Sequence, residues 1–217
     1  MVDRWGMAED TILFVGGGGH AAVVAQCAHQ LGVVVTGLYD DDAGAKLLHR
    51  PPPPVAPEYL GTLDDFACSG ASGWMLAIGD LAMRARVLEA HAESAAGPMI
   101  HPDALVSPDV EIEEGVFVGP GAILHTGAKI RAHAIINTGA IVEHDCVIGR
   151  NAHVAPGCVV GGGVAVGQSS LVGIGSTVLP CTSIGSRATV GAGSVVIRDV
   201  EDGAVVVGNP ARVLARR

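Results

Sequence analysis

Aromatic side chains are scarce: two Trp, two Tyr and three Phe in 217 residues, 3% of the chain. A core of packed rings is therefore excluded, and Val, Ile and Ala must fill the interior of a chain that is 49% hydrophobic. Positive charge is also short, with 13 Lys and Arg against 22 Asp and Glu, a formal net charge of −9 and no basic stripe. Nucleic acid is excluded as a partner, because neutralising phosphates needs clustered cations. An anionic ligand has to be held by backbone amides, helix ends or a few local cations. The five cysteines (Cys27, Cys68, Cys146, Cys158, Cys181) never form a C-x-x-C pair. An odd, scattered set points to reduced buried thiols and not to a disulfide framework. No apolar run reaches membrane-spanning length, and the one that follows the acidic "MVDRWGMAED" is broken by "GGGGH". The expectation is a cytoplasmic protein with no signal peptide and no membrane partner.

What is present falls into two halves of different grammar. In residues 1–95 the short apolar run "TILFV" leads through "GGGGH" into the helix-like "AAVVAQCAHQLG", and "VVVTGLYDDD" follows as a second strand. "GWMLAIGD" reads as a further strand and "LAMRARVLEAHAES" as a helix, while the proline-rich "HRPPPPVAPEYLG" reads as loop. That order is the βαβ pattern of a small parallel sheet, about half of a dinucleotide-binding domain. The fold class expected is thus an α/β, half-Rossmann-like N-terminal domain joined to a second architecture.

The second architecture begins near residue 96. Every sixth residue from Ile100 to Val196 is Ile, Leu or Val, seventeen in succession, and the residue four places after each is Ala, Ser, Thr, Val or Cys. Neither strand nor helix periodicity yields that run; a six-residue period is the hexapeptide repeat of a parallel β-helix. Each hexad is one flat side with its aliphatic residue inward, three hexads close a coil of 18 residues, and the small residue lets the chain turn the corner. Residues 96–200 form this domain, and 201–217 a C-terminal tail.

These hexads resemble the left-handed β-helix of the hexapeptide-repeat acyltransferases; the left hand is implied by that resemblance, since the general crossover rule gives the opposite. A front domain opening "GGGGHA", then "AIGD…R", then "NTGAIVEHDCVIGRNAHV" is similar to the bacterial nucleotide-sugar acetyltransferases. That group includes N-acetyltransferases of UDP-4-amino sugars and enzymes named as sialic-acid O-acetyltransferases. The resemblance covers about residues 12 to 213. It implies acetyl-CoA as co-substrate, a nucleotide-linked amino sugar as acceptor, no metal, and a homotrimer with active sites between subunits.

Acetyl transfer from a thioester needs a base for the nucleophile, donors for the oxyanion, and both substrates in line. His144 suits the first task, because imidazole titrates near neutral pH. A neighbouring carboxylate fixes its tautomer and steadies the imidazolium. Consecutive residues on a flat strand point to opposite sides, so Asp145 and Glu143 both stand as that partner. Asn137 matches the family's catalytic set. His153 lies nine residues beyond His144, half a coil, so the two histidines belong to separate parts of one prism. They share a site only if a neighbouring subunit supplies one of them. By resemblance His153 contacts the acetyl-CoA side, the Gly162 N–H faces the thioester carbonyl, and the main chain of Gly173 and Ile174 holds the pantetheine arm. The tail "VVVGNPARVL", with Pro210, resembles the family's ending near the adenine, and it also reads as a plain cap on the last coil.

In the front domain, Gly16, Gly18 and Ala21 satisfy G-x-G-x-x-A between a strand and a helix start, an amide cradle for phosphate at the positive end of a helix. The resemblance assigns Gly17, Gly18 and His20 to the phosphate turn, Asp40 and Asp41 to the uridine end, and Gly79 and Arg84 to the diphosphate side. Rival readings also have a sequence test. Metal-dependent carbonic anhydrases on the same repeat need converging histidines, and His101, His125, His133, His144 and His153 contain no H-x4-H pair. A nucleotide-sensing trimeric scaffold would dispense with His144. O-acetylation of sialic acid or a related sugar uses the same base and thioester.

Overall fold

The apolar run "TILFV" forms β1 (Thr11–Val15), the first strand of a parallel sheet in this computed structural model, which describes residues 11–49, 56–66, 73–91 and 95–214. The sheet runs in the order β3-β2-β1-β4, with β2 at Val34–Tyr39, β3 at Glu58–Gly61 and β4 at Trp74–Leu76. β1 is central and its Ile12, Phe14 and Val15 are fully buried, as expected of a continuous apolar strand covered on both faces. Helix α1 (Gly19–Gln30) buries Ala21, Val24, Ala25, Cys27 and Ala28, a small-residue stripe at helical spacing. The four-residue helix α2 (Lys46–His49) follows β2, and α3 (Leu81–Ala90) follows β4. An aromatic cluster packs here: Phe66 meets Tyr39, Trp74 and His91 edge-on, with ring centroids 5.3, 5.2 and 4.8 Å apart.

One reading of this half is corrected. "EYLG" belongs to strand β3, not to a loop, paired with β2 through Gly37–Glu58 and Leu38–Tyr59. An edge strand tolerates a proline-rich approach because one of its sides pairs with nothing. The Tyr59 hydroxyl, donating to the Asp40 carbonyl at 3.1 Å, ties it down. Four other readings lie outside the described residues: the prolines at 51–54, Cys68, the first ten residues, and the end of the "LAMRARVLEAHAES" helix.

Chain contacts divide the protein into Met1–Pro102 and Asp103–Arg217. The second unit is a left-handed parallel β-helix of two-residue strands. One face stacks Glu111–Ile112, Lys129–Ile130, Val147–Ile148, Ala165–Val166 and Ser183–Ile184, each strand paired in parallel with the one 18 residues on. A second face stacks Leu105–Val106, Ile123–Leu124, Ile141–Val142, Val159–Val160, Thr177–Val178 and Val195–Val196. The third runs from Phe117–Val118 through Ile135–Ile136, His153–Val154, Leu171–Val172 and Thr189–Val190 to Val205–Val207, and the antiparallel Arg212–Val213 closes it.

The sixfold aliphatic series is the core. From Val118 to Val196 each member is at most 2% exposed, and each such side chain contributes about 1.5–3 kcal/mol on burial. Ile100, Val106 and Ile112, at the start of the series, are partly exposed. The corners are made differently from the sequence expectation. The residue three places after each inward aliphatic, from Gly115 to Gly193, has φ between 53° and 73°. Eight of the fourteen are glycine, which adopts this region without strain, and Asp145 and Asn151 are short polar residues that tolerate it. The small residue one place later, such as Ala122, Ala128, Cys146 or Ser170, is fully buried and fills the inside of the corner.

Candidate active site

Val142 points inward, so Glu143, His144 and Asp145 form the outer turn that carries the chain to Val147. Asp145 is the left-handed residue of this corner, φ 59°, and its N–H donates to the Thr126 carbonyl at 3.1 Å. The turn brings its carboxylate back to the preceding side chain, with Oδ2 2.9 Å from His144 Nδ1. A carboxylate only accepts, so Nδ1 carries the proton and Nε2 keeps its lone pair. Both side chains are open to solvent, 59% and 73% exposed. Of the two carboxylates left open by sequence, Asp145 is therefore the partner of His144. Glu143 instead faces His125, with Oε1 3.8 Å from Nε2.

Two glycines, one coil on either side, make space for this pair. A Cβ on Gly162 would lie 2.5 Å from His144 Nε2, and one on Gly127 would lie 2.5 Å from Asp145 Oδ1. Asp109 steadies the turn beneath: Oδ2 accepts from the Thr126 hydroxyl at 2.6 Å and from the Gly127 N–H at 3.0 Å. The Thr126 hydroxyl holds the Asp109 carboxyl below its usual pKa range. Gly127, Thr126 and Asp109 were not read from the sequence, and His125 was read only as a histidine without a metal-ligand partner. The signal is there, however, because residues 18 apart stack, and 145 − 18 and 144 + 18 both land on glycine.

His153 opens a strand on a different face, as the half-coil spacing requires. The sequence groups Asn137 with His144; within one chain its amide reaches His153, with Nδ2 3.0 Å from Nε2. Its Oδ1 accepts from the Thr138 N–H at 2.8 Å. Thr138 is another residue the sequence reading passed over. Gly173 donates to Val190 O at 2.8 Å and its carbonyl accepts from the Ser176 N–H at 3.1 Å. A Cβ there would lie 2.5 Å from Val190 O, so packing between coils alone requires this glycine. Ile174 carries a 61% exposed side chain while its carbonyl accepts from the Gly193 N–H. Pro210 is exposed in the turn between Val205–Val207 and Arg212–Val213, and Ala211 N–H ties that turn to Val195 O at 2.8 Å.

In the front unit, the glycine turn sits at the C-terminal ends of β1 and β4, where open parallel sheets take ligands. Gly16 (φ 105°) and Gly17 are demanded by the protein, since a Cβ would strike Ile78 and Ala45 respectively. Gly18 and Gly19 are not: nothing lies within 4 Å of either imagined Cβ. Gly18 caps α1 without any side-chain hydrogen bond, leaving the helix start uncovered by its own cap. His20 packs beside Gly79, 3.6 Å from the position of its missing Cβ, so these two sequence candidates meet.

The acidic candidates and Arg84 have structural duties. Asp40 Oδ2 accepts from the Gly17 N–H at 2.6 Å, bracing the glycine turn, and Asp41 Oδ1 accepts from the Leu63 N–H at 3.1 Å. Arg84, expected beside a diphosphate, is instead 1% exposed; Nη1 donates to Leu76 O and Ile78 O, both at 2.9 Å. Burial pushes its pKa down to about 9, which still leaves it charged at neutral pH. It braces the loop that carries Gly79. Among the described residues no group of His, Cys, Asp and Glu is placed to hold a metal ion, and no helix is long and apolar enough to cross a membrane.

Known proteins resemble both halves of the chain. Residues 11–91 match the PglD N-terminal domain, and residues 84–192 match the GMPPB C-terminal domain. The acetyltransferase domain of PglB from Neisseria gonorrhoeae is 32% identical with a TM-score of 0.82, over 94% of this chain and 99% of that one. Its complex with acetyl coenzyme A gives 31% and 0.82, over 95% and 100%. PerB from Caulobacter crescentus, solved with CoA and GDP-perosamine, is 36% identical with a TM-score of 0.81, over 94% and 97%. A search of curated proteins gave no match.

Proposed function

The chain belongs to the hexapeptide-repeat acetyltransferases of nucleotide-linked amino sugars, and we propose that it moves the acetyl group of acetyl-CoA onto the amine of such a sugar with His144 as general base. The observation that carries this reading is the His144–Asp145 pair at 2.9 Å, which leaves the Nε2 lone pair as the ring's basic pole. The amine nitrogen attacks the thioester carbonyl carbon while Nε2 takes a proton from it. Asp145 holds the tautomer and steadies the imidazolium, and the Gly162 N–H serves the oxyanion. The tetrahedral intermediate then breaks its C–S bond, and the departing thiolate takes the proton back from His144. The products are an acetamido sugar and CoA thiol.

The front unit takes the nucleotide. Gly18 and Gly19 leave open space at the start of α1, where diphosphate oxygens meet helix amides. Sequence reading expected a uridine nucleotide, whereas PerB was solved with a GDP-linked sugar. The working unit is a homotrimer in which neighbouring subunits bring His144 and His153 together. Support comes from one face whose outward positions Leu105, Ile123, Ile141, Val159 and Val195 are aliphatic, with Thr177 the sixth, all at least partly exposed in the single chain. Acetyl-CoA as co-substrate sets the reaction in the cytoplasm, and its product suits glycan assembly.

The test is thiol release from acetyl-CoA with UDP-, GDP- and dTDP-linked amino sugars, free amino sugars and sialic acid, for wild type and His144→Ala. Release with one nucleotide-linked amine, lost in the variant, supports the reading and identifies the base of the nucleotide. Release with sialic acid alone moves the activity to O-acetylation. Binding of a nucleotide sugar without release from any acceptor overturns it in favour of a scaffold.

A further inference from the structure

The two histidines differ in what faces them. At His144 the partner is a carboxylate, which can only accept from Nδ1. At His153 Nε2 a partner is the side chain of Asn137, at 3.0 Å. Which end of that amide points to the ring is fixed locally. The Thr138 backbone N–H can only donate, and it lies 2.8 Å from Oδ1, with the Thr138 hydroxyl a further 3.4 Å contact to the same oxygen. The oxygen therefore turns toward Thr138, and the NH2 group turns toward His153. An amide NH2 can only donate, so Nε2 must accept, and the ring proton sits on Nδ1. Adding a proton to Nε2 would destroy this hydrogen bond and set two N–H groups against each other.

We propose that Thr138 and Asn137 form a positioning pair that holds His153 neutral, in the Nδ1–H tautomer. The two histidines thereby meet opposite kinds of partner, an acceptor at His144 Nδ1 and a donor at His153 Nε2. The second presents a neutral N–H donor from Nδ1 and does not compete with His144 for the proton of the acceptor amine. The kinetic consequence rests on the proposed acetyl transfer; the tautomer itself does not.

The repeat supplies a mild way to cut this pair. The corner position of Thr138 is occupied by Pro120 one coil before and Pro156 one coil after. Thr138 N stacks over Gly119 as Pro180 N and Cδ stack over Gly161, so a proline ring at 138 has a precedent for its footing. Thr138→Pro removes the N–H that orients Asn137 and retains the Thr138 carbonyl, which accepts from the Gly157 N–H at 2.9 Å. Asn137→Asp is the second variant, near-isosteric but with an acceptor at both ends.

The experiment is 15N NMR of histidine-labelled full-length protein at neutral pH, with His153 assigned from His153→Gln. The wild type should show a protonated Nδ1 and a bare Nε2. Thr138→Pro should give a mixture of tautomers, and Asn137→Asp should move the proton to Nε2. Circular dichroism and the thermal midpoint check that both variants keep the coil. A wild-type ring protonated on Nε2, or a Thr138→Pro ring unchanged from wild type, overturns the proposal. In parallel, kcat/KM for acetyl-CoA should fall roughly tenfold in Thr138→Pro, the scale at which loss of a partner that fixes a histidine tautomer is felt. If no acceptor supports turnover, the proposed function fails while the tautomer result stands by itself.

Discussion

Asp145 turns a corner and partners His144, the proposed general base. Its φ of 59° would strain most L-residues, but aspartate and asparagine tolerate that region, so backbone and chemistry select the same residue type. Asp145→Asn should therefore keep the fold and remove the charge that steadies the imidazolium. Turnover is expected to fall by roughly 10²–10⁴, the range of general-base contributions. An unchanged thermal midpoint beside near-normal kcat would mean that the carboxylate has no such role. The space for that carboxylate comes from Gly127 (φ 73°), and a comparison with Gly139 (φ 64°) separates strain from contact. A Cβ on Gly139 meets nothing within 4 Å, whereas one on Gly127 meets Asp145. Both alanine variants should lose about 1–2 kcal/mol, the cost of an L-residue in the left-handed region. Only Gly127→Ala should also lose most of its acetyl transfer, and equal activity in the two would remove Gly127 from the site.

Between neighbouring coils, stacked strands and turns set which residues meet, and this scale limits what a linear reading reveals. The inward aliphatics were legible because one residue class recurs at a fixed period through the whole domain. His144 and its acidic neighbour were legible because their residue types break that pattern. Gly127 looks like any other corner glycine until the chain is written in rows of 18, and Gly162 stands out only through the family resemblance. The partner of Asn137 depends on which way a side chain leaves its corner, and the Asp40–Gly17 bond spans 23 residues of front-domain topology. Strand β3 was masked by the prolines before it. Coil-to-coil pairing also carries acid sensitivity. Arg131 Nη1 donates to Glu113 Oε1 at 2.8 Å and Ala132 N–H to Oε2 at 2.7 Å, and together they hold the Glu113 carboxyl below its usual range. A carboxyl depressed in the folded state adds stability that is complete above the unfolded value, about 4.3, and is lost as pH falls through the lower folded value. Urea midpoints of wild type and Glu113→Gln should thus differ by a constant amount above about pH 5, and the gap should shrink progressively as the pH falls below the unfolded value of about 4.3. A gap that does not shrink with falling pH would show that Glu113 acts through packing instead.

At the scale of the molecule, the three faces of the β-helix are unlike one another. One presents Glu111, Lys129, Val147, Ala165 and Ser183, with Lys129 3.1 Å from Glu111 and Arg131 2.8 Å from Glu113 beside it, a surface that suits water. Another presents Leu105, Ile123, Ile141, Val159, Thr177 and Val195, in which Leu105 is 66% exposed in the single chain. Six stacked coils offering one near-continuous aliphatic column would be an aggregation hazard unless another subunit covers it. Closure by a threefold ring satisfies every copy of that face at once, whereas an open chain of copies would not. Val159→Lys places a charge in the middle of this column without touching the core, while Ala165→Lys places the same charge on the polar face. Analytical ultracentrifugation should find wild type and Ala165→Lys as trimers and Val159→Lys as a folded monomer. Because His144 and His153 lie on separate faces of one prism, that monomer should also lose acetyl transfer, although neither histidine nor the front unit has been altered. A Val159→Lys protein that stays trimeric would rule out this face as the interface, and an active monomer would show that one prism assembles the whole site alone.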